Sequence, residues 1–168
     1  ESLRAVKSPN ELEKLRISAS YVDAGMRAGM DAIAVGKTEN GIVSEMMGQA
    51  IKAGSEYVGM EPLMASGPRC GIPHGTWRRR VIEAGDPVFL EMAAAHDRYH
   101  ASLMRSAWIG QPNDTARRMM DCVLAGLDSA LEVLKPGNSC AEVHDACQAV
   151  IDKYGYTENF KKRTGYSV

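Results

Sequence analysis

VDAGMRAGMDAIAVGKTENGI, residues 22–42, and VLAGLDSALEVLKPGNSCAEV, residues 123–143, read as two copies of one plan. A shift of 101 residues overlays them without a gap: Val22 meets Val123, Ala24-Gly25-Met26 meets Ala125-Gly126-Leu127, and Ile33 meets Leu134. Gly36 then meets Gly137, Thr38 meets Ser139 and Ile42 meets Val143. Two helical stripes of like period coincide easily by chance. A stop and a hydroxyl cap coinciding at the same offset point to an internal duplication.

Working outward, each copy is a long helix, a glycine stop, a hydroxyl cap and a shorter helix. The first helix opens on Ser8, Pro9 and Glu11, a capping box with proline at the first helical position. Its apolar stripe runs Leu12, Leu15, Ala19, Val22, Met26, Met30, Ile33. Thr38 caps a second helix that ends near Gly54. A third runs from about Asp114 through Val123, Leu127 and Leu131 to Leu134, where Pro136-Gly137 stops it. Ser139 and Glu142 form another capping box and start a fourth, with Val143, Cys147, Val150 and Tyr154 on one face.

Between the helical pairs the period changes from 3.6 to 2. Residues 57–66, Val88 to Ala93 and Tyr99 to Trp108 read as strands, the last two joined by a turn at His96-Asp97-Arg98. Gly85-Asp86 is the turn that enters this hairpin. At the same offset a second hairpin is expected at about 188–210, whereas the sequence ends at Val168, in what reads as a strand. The expected organisation is one domain, incomplete at its C-terminus. A first repeat covers about 7–110 and the start of a second about 111–168.

Composition narrows the class. Hydrophobic residues are 45% and charged residues 24%, as in ordinary globular proteins. A net charge of −1 offers no field for nucleic acid. No apolar run is long enough to span a bilayer, so no membrane role is expected. Cys122 and Cys147 fall on helical stripes, and no C-x-x-C pair occurs. The cysteines read as reduced core residues of a cytoplasmic protein.

Few residues carry obvious chemistry. The loop Ser66-Gly67-Pro68-Arg69-Cys70-Gly71-Ile72-Pro73-His74-Gly75-Thr76-Trp77 holds a histidine, which can move a proton near neutrality. A loop-packing role for His74 stays open. Glu91 interrupts the apolar run 88–93. Strand alternation allows it to face solvent, and if it is buried it needs a partner. Arg78-Arg79-Arg80 reads as a solvated run. His96 and Asp97 read as turn residues, His100 as flanking or joining the site, and His144 as an exposed helical residue. No G-x-G-x-x-G, P-loop or G-x-S-x-G motif appears.

The duplicated plan, with Ser66-Gly67 to Gly75, Gly85-Asp86-Pro87-Val88-Phe89-Leu90-Glu91, Tyr99-His100 to Arg105-Ser106 and Arg163-Thr164-Gly165-Tyr166, resembles the creatinase, methionine aminopeptidase and Xaa-Pro peptidase superfamily. The resemblance implies an α/β pita-bread fold: a curved antiparallel sheet flanked by two pseudo-symmetric helix pairs. It also implies a smaller domain upstream and a homodimer. Peptidases of that superfamily hold two metals on two Asp, one His and two Glu. Here the first Asp position matches Glu91, the second matches Ser102, and the His position matches Tyr166 within Gly165-Tyr166-Ser167. The two Glu positions lie past Val168. A hydroxyl and a phenol are poor replacements for a carboxylate and an imidazole, so no metal cofactor is expected.

His74 matches the histidine that serves creatinase as acid and base without metal. Together with Trp77, Glu91, Tyr99-His100 and Arg163 to Val168, this looks most like the metal-free branch of ectoine hydrolase. The expected function is metal-independent hydrolysis of a C–N bond in a small zwitterionic amidine or guanidine. His74 and Glu91 would be catalytic, and Trp77, Tyr99, Ser102 and Tyr166 would bind substrate. The alternatives are a metal-dependent Xaa-Pro dipeptidase or aminopeptidase and a non-catalytic peptide-binding relative.

Overall fold

The computed structural model describes the backbone of residues 2–166. Its elements run α1 (Ser2–Ala5), α2 (Pro9–Ala32), α3 (Glu39–Ala53), β1 (Val58–Ser66), a 3-10 turn (Gly67–Gly71), β2 (Pro87–His96), β3 (Tyr99–Trp108), α4 (Asp114–Val133), α5 (Cys140–Tyr154) and a 3-10 turn at Thr157–Asn159. They fall into two compact units, one up to Gln111 and the other from Pro112 on. Among the described residues no helix is long and apolar enough to cross a membrane.

In the first unit α2 and α3 pack on one face of the antiparallel sheet β1-β2-β3. The Ser8 hydroxyl accepts from the Glu11 N–H and the Glu11 carboxylate accepts from the Ser8 N–H, so the capping box forms as read. Gly25 and Gly29 then set how closely the layers approach. A Cβ at Gly29 would overlap Met46 Cγ, and one at Gly25 would lie 2.8 Å from the Met46 carbonyl oxygen and 2.9 Å from Met92 Cε. Bare backbone at these two turns of α2 admits Met46 of α3 and Met92 of β2 into one apolar core with Val22, Met26, Ile42, Met64 and Leu90.

β2 and β3 pair continuously from Pro87↔Trp108 to His96↔Tyr99. The turn between them has two residues, Asp97 and Arg98, both at positive φ (48° and 69°). This is the backbone of a primed hairpin turn, whose twist suits the strands it joins. Asp97 is fixed there by Lys14 at 2.8 Å and by its own N–H donating to Glu56 Oε1 at 2.8 Å. The register divides the side chains. Leu90, Met92 and Ala94 of β2, with Ala101, Leu103 and Ala107 of β3, meet the helices. Phe89, Glu91 and Ala93, with Leu63 and Ala65 of β1 and His100, Ser102 and Met104 of β3, share the opposite face.

In the second unit α4 and α5 form their own pair. α3 and α5 begin at residues 39 and 140 and end at residues 53 and 154, so the offset read from the sequence holds at both ends. Gly54 and Gly155 cap them at φ 124° and 81°. The internal contact repeats as well: a Cβ at Gly126 would lie 3.2 Å from Cys147 Sγ, as one at Gly25 would meet Met46. The buried row on α4 is Cys122, Gly126 and Ala130, which faces Cys147 and Ile151 of α5. Cys122 and Cys147 are thus core residues, as read, whereas Val123, Leu127 and Leu131 are exposed. Past α5, residues 161–166 form no strand, and the expected strand end at Ser167 and Val168 lies outside the described residues.

Candidate functional site

The site grows from the loop that leaves β1. Ser66 ends that strand, fully buried, and Gly67 turns the chain at φ 56°. Only glycine fits here, because a Cβ would lie 2.7 Å from Arg80 Nη2 and 2.8 Å from Asp86 Oδ1. Those two residues are an ion pair. Arg80 Nη1 donates to Asp86 Oδ2 and Nη2 donates to Asp86 Oδ1 at 3.0 Å, while Nη1 also reaches Ser66 Oγ at 3.0 Å. The Arg80 guanidinium holds the Asp86 carboxyl below the usual aspartate range. So Arg80 departs from the solvated run expected of Arg78-Arg79-Arg80. Arg78 and Arg79 are exposed, whereas Arg80 is drawn inward by a buried carboxylate.

Glu39 is the hub beneath this loop. It is the first residue of α3 and is 0% exposed. Its Oε1 accepts from the Ser66 N–H at 3.0 Å and from the Ser66 hydroxyl at 2.6 Å. Its Oε2 accepts from Arg69 Nη1 at 2.7 Å and from the Arg78 N–H at 2.6 Å. Arg69 spends its other nitrogen on the Thr76 carbonyl at 2.6 Å. A carboxylate so placed avoids the cost of an unpaired buried charge. The Cys70 thiol donates towards the Ala65 and Pro87 carbonyls, and burial pushes its pKa up. That thiol is therefore a packing group and no nucleophile. The Met64 N–H donates to the Gly75 carbonyl at 3.0 Å, which ties the returning limb to the outer edge of β1.

His74 lies between these ties. It is exposed, and its backbone sits at φ 55°. A left-handed conformation in a residue with a Cβ costs of order 1–3 kcal/mol and persists only where its surroundings impose it. Glu91 is 7% exposed on the sheet face opposite the helices. Burial raises its pKa, and the electrostatic influence of His74 opposes that rise. The structure thus places His74 within electrostatic reach of the one acidic residue that interrupts the β2 run. Ser102 shares the Glu91 face, two pairs further along the ladder: Ser102 stands opposite Ala93 and Met104 opposite Glu91. His100 is on this face too, its Nε2 3.1 Å from the Tyr57 hydroxyl.

Three other expected site residues are placed differently. Tyr99 is on the helix side of the sheet, where its hydroxyl donates to Glu11 Oε1 at 3.0 Å and Lys14 sits 5.4 Å from its ring centroid. It cannot line the Glu91 face. A two-residue turn pairs Tyr99 with His96, and both side chains then point at α2. Trp77 packs against the apolar core of the first unit. Tyr166 belongs to the second unit, with the Arg163 guanidinium 5.6 Å from its ring centroid. In that unit His144 is half-buried, not exposed: Nδ1 lies 3.0 Å from Thr164 Oγ1 and the ring stacks on Phe160.

Glu39 and Arg69 were not singled out from the sequence. Glu39 reads there as an acidic residue in a first helical turn, a favourable place in any helix. Its partners lie 27 to 39 residues away.

On the superfamily resemblance, a metal would draw anionic or imidazole ligands from the positions of Glu91, Ser102 and Tyr166. Only the first supplies one. Among the described residues no three His, Cys, Asp or Glu side chains come together as a ligand set. A carboxylate, a hydroxyl and a phenol are a poorer donor set for a divalent ion than the superfamily's carboxylates and imidazole.

The chain is 33% identical to the ectoine hydrolase of Halomonas elongata over 98% of its own length and 43% of that protein's. It is 28% identical to the Xaa-Pro dipeptidase of Pyrococcus furiosus over 100% of its own length and 48% of that protein's. Among solved structures, the prolidase from Pyrococcus furiosus superposes with a TM-score of 0.92 at 28% identity, covering 96% of this chain and 48% of that one. The Xaa-Pro dipeptidase from Bacillus anthracis gives 0.94 at 28% identity, covering 99% and 47%. The fold is therefore the α/β pita-bread arrangement of these prolidases, of which the chain spans about half the length. Residues 13–168 match the model described as metallopeptidase family M24, and the chain belongs to that family.

Proposed function

We propose that the protein of which this chain forms part is a metal-independent hydrolase that cleaves a C–N bond in a small zwitterionic amidine or guanidine, ectoine first. The observation that carries this reading is the site itself. A loop-tip histidine acts electrostatically on a buried carboxylate, on a sheet face that also carries Ser102, which by the superfamily resemblance stands at the position of a second metal-binding carboxylate. The similarity to an ectoine hydrolase supports the substrate class. The reading takes the whole protein as a homodimer, as the superfamily resemblance implies, and as cytoplasmic, as the cysteine usage suggests.

In this mechanism His74 takes a proton from water as the oxygen adds to the planar amidine carbon. The C–N bond then breaks, and His74 returns the proton to the departing nitrogen. Glu91 binds the substrate cation by a charge-assisted contact. Ser102 donates or accepts a hydrogen bond beside it.

The Glu91 contact has a pH signature. Burial raises its pKa, so its carboxyl takes up a proton sooner as pH falls, and the neutral form attracts a cation weakly. KM for an amidinium substrate is expected to rise on acidification, starting above the usual glutamate pKa of about 4.3. The rise should vanish in Glu91→Gln. An unchanged acid limb in that variant would remove Glu91 from cation binding.

The Ser102 position can be tested by restoring an acid. Ser102→Asp puts a second carboxylate diagonal to Glu91 across the β2–β3 ladder, within roughly 7–8 Å by backbone spacing. The full-length variant is expected to bind Mn more tightly than wild type by isothermal titration. Equal affinity would mean that 102 does not correspond to a metal-ligand position. The second reading, a metal-dependent Xaa-Pro dipeptidase, is favoured by the prolidase likeness. It requires Xaa-Pro dipeptide cleavage that depends on added metal.

A further inference from the structure

We propose that Glu39, acting through Arg69, is a positioning residue that holds His74 in its left-handed conformation and aims it at the Glu91 face. This rests on the acid–base role assigned to His74. Three observations carry it. First, His74 is a non-glycine residue at φ 55° and is exposed at the loop tip, so its own packing cannot impose that conformation. Second, the chain is pinned on both sides of it. Ser66 and Arg69 on the outgoing limb, and Thr76 and Arg78 on the returning limb, all connect to one fully buried carboxylate, directly or through Arg69. Third, the guanidinium does something a lysine could not. It donates with Nη1 to Glu39 Oε2 and with Nη2 to the Thr76 carbonyl, which bridges the limbs two residues after His74. Reach and charge together fix where the two limbs begin and end, and the chain closes between these pins with His74 at positive φ.

The decisive variant is Arg69→Lys in the full-length protein. It keeps a cation beside buried Glu39, so the core retains its charge balance, but a single ammonium cannot reproduce the fork. Turnover of the amidine substrate is expected to fall by about 10-fold or more with KM changed less than about 3-fold, as for a displaced catalytic group. In a His74→Ala background the same substitution should cost less than about 2-fold, because its effect passes through the missing imidazole. A residue that merely stabilises the fold would give losses that multiply, and that result overturns the proposal. A crystal structure of Arg69→Lys supplies the second readout. His74 relaxed to negative φ supports the clamp, and His74 unchanged at positive φ overturns it. If His74→Ala alone keeps wild-type turnover, the acid–base reading falls, and the conformation of His74 in Arg69→Lys still decides the clamp.

Discussion

His74→Ala in the full-length protein is expected to lower turnover about 10²-fold or more, the usual scale for removing an acid–base group. The expectation rests on where the residue sits. His74 is exposed at the tip of a loop anchored at 66, 69, 76 and 78, and it reaches the electrostatic field of Glu91 across the sheet face. Alanine keeps the Cβ, and with it the left-handed strain, so the loss reports chemistry more than loop repacking. The effect should fall on kcat with little change in KM, because the proton is moved only as the C–N bond changes. Steady-state kinetics of wild type and variant on ectoine decide it, and equal kcat would remove His74 from the mechanism.

Glu39→Ala should destabilise the fold by about 3–5 kcal/mol, the range for removing one partner of a buried ion pair. The reason is what remains. Arg69 stays partly buried with its main anionic partner gone, and the N–H groups of Ser66 and Arg78 lose their acceptor at the edge of the core. Glu39→Gln keeps the shape and one acceptor, so its cost should be nearer the roughly 1–3 kcal/mol of a buried group left partly unsatisfied. Urea unfolding of the two variants against wild type gives the comparison. A loss under about 1 kcal/mol for Glu39→Ala would show that water replaces the carboxylate without penalty.

The helices and their repeat were legible because their signals are local. The box Ser8–Glu11, the box Ser139–Glu142 and the glycines at 36, 54 and 137 each act within a few residues of themselves. The hairpin was legible for the same reason, and so was His74 as a histidine set in a Gly/Pro loop. What failed was parity. Reading the turn as His96-Asp97-Arg98 leaves the face of β3 undetermined, whereas the two-residue turn places Tyr99 towards α2 and Ser102 towards Glu91. One residue of slip exchanges the two faces. On α4 apolar residues occupy much of the circumference, and periodicity alone does not choose between the row that α5 covers, which holds Cys122, and the row it leaves exposed.

Glu39 was illegible because it acts at long range. Its sequence context describes a helix start, and nothing near it announces the loop that closes over it 27 residues later. Its role is set by the sheet. β1 carries Ser66 up to the N-terminus of α3, and the buried carboxylate meets the loop there. Arg80 and Asp86 show the same logic on a shorter scale. A basic run and a turn acid become a buried pair once Gly67 lets the chain pass between them.

The central claim is that the C–N bond is cleaved with protein groups alone. Its most direct test is turnover of ectoine by the full-length protein after exhaustive chelation, with bound Mn, Co, Fe and Zn measured by elemental analysis on the same sample. The account predicts undiminished turnover at far less than one metal per protomer and no gain on adding any of these ions. Turnover that disappears with the metal and returns on adding Mn, Co or Zn would contradict it.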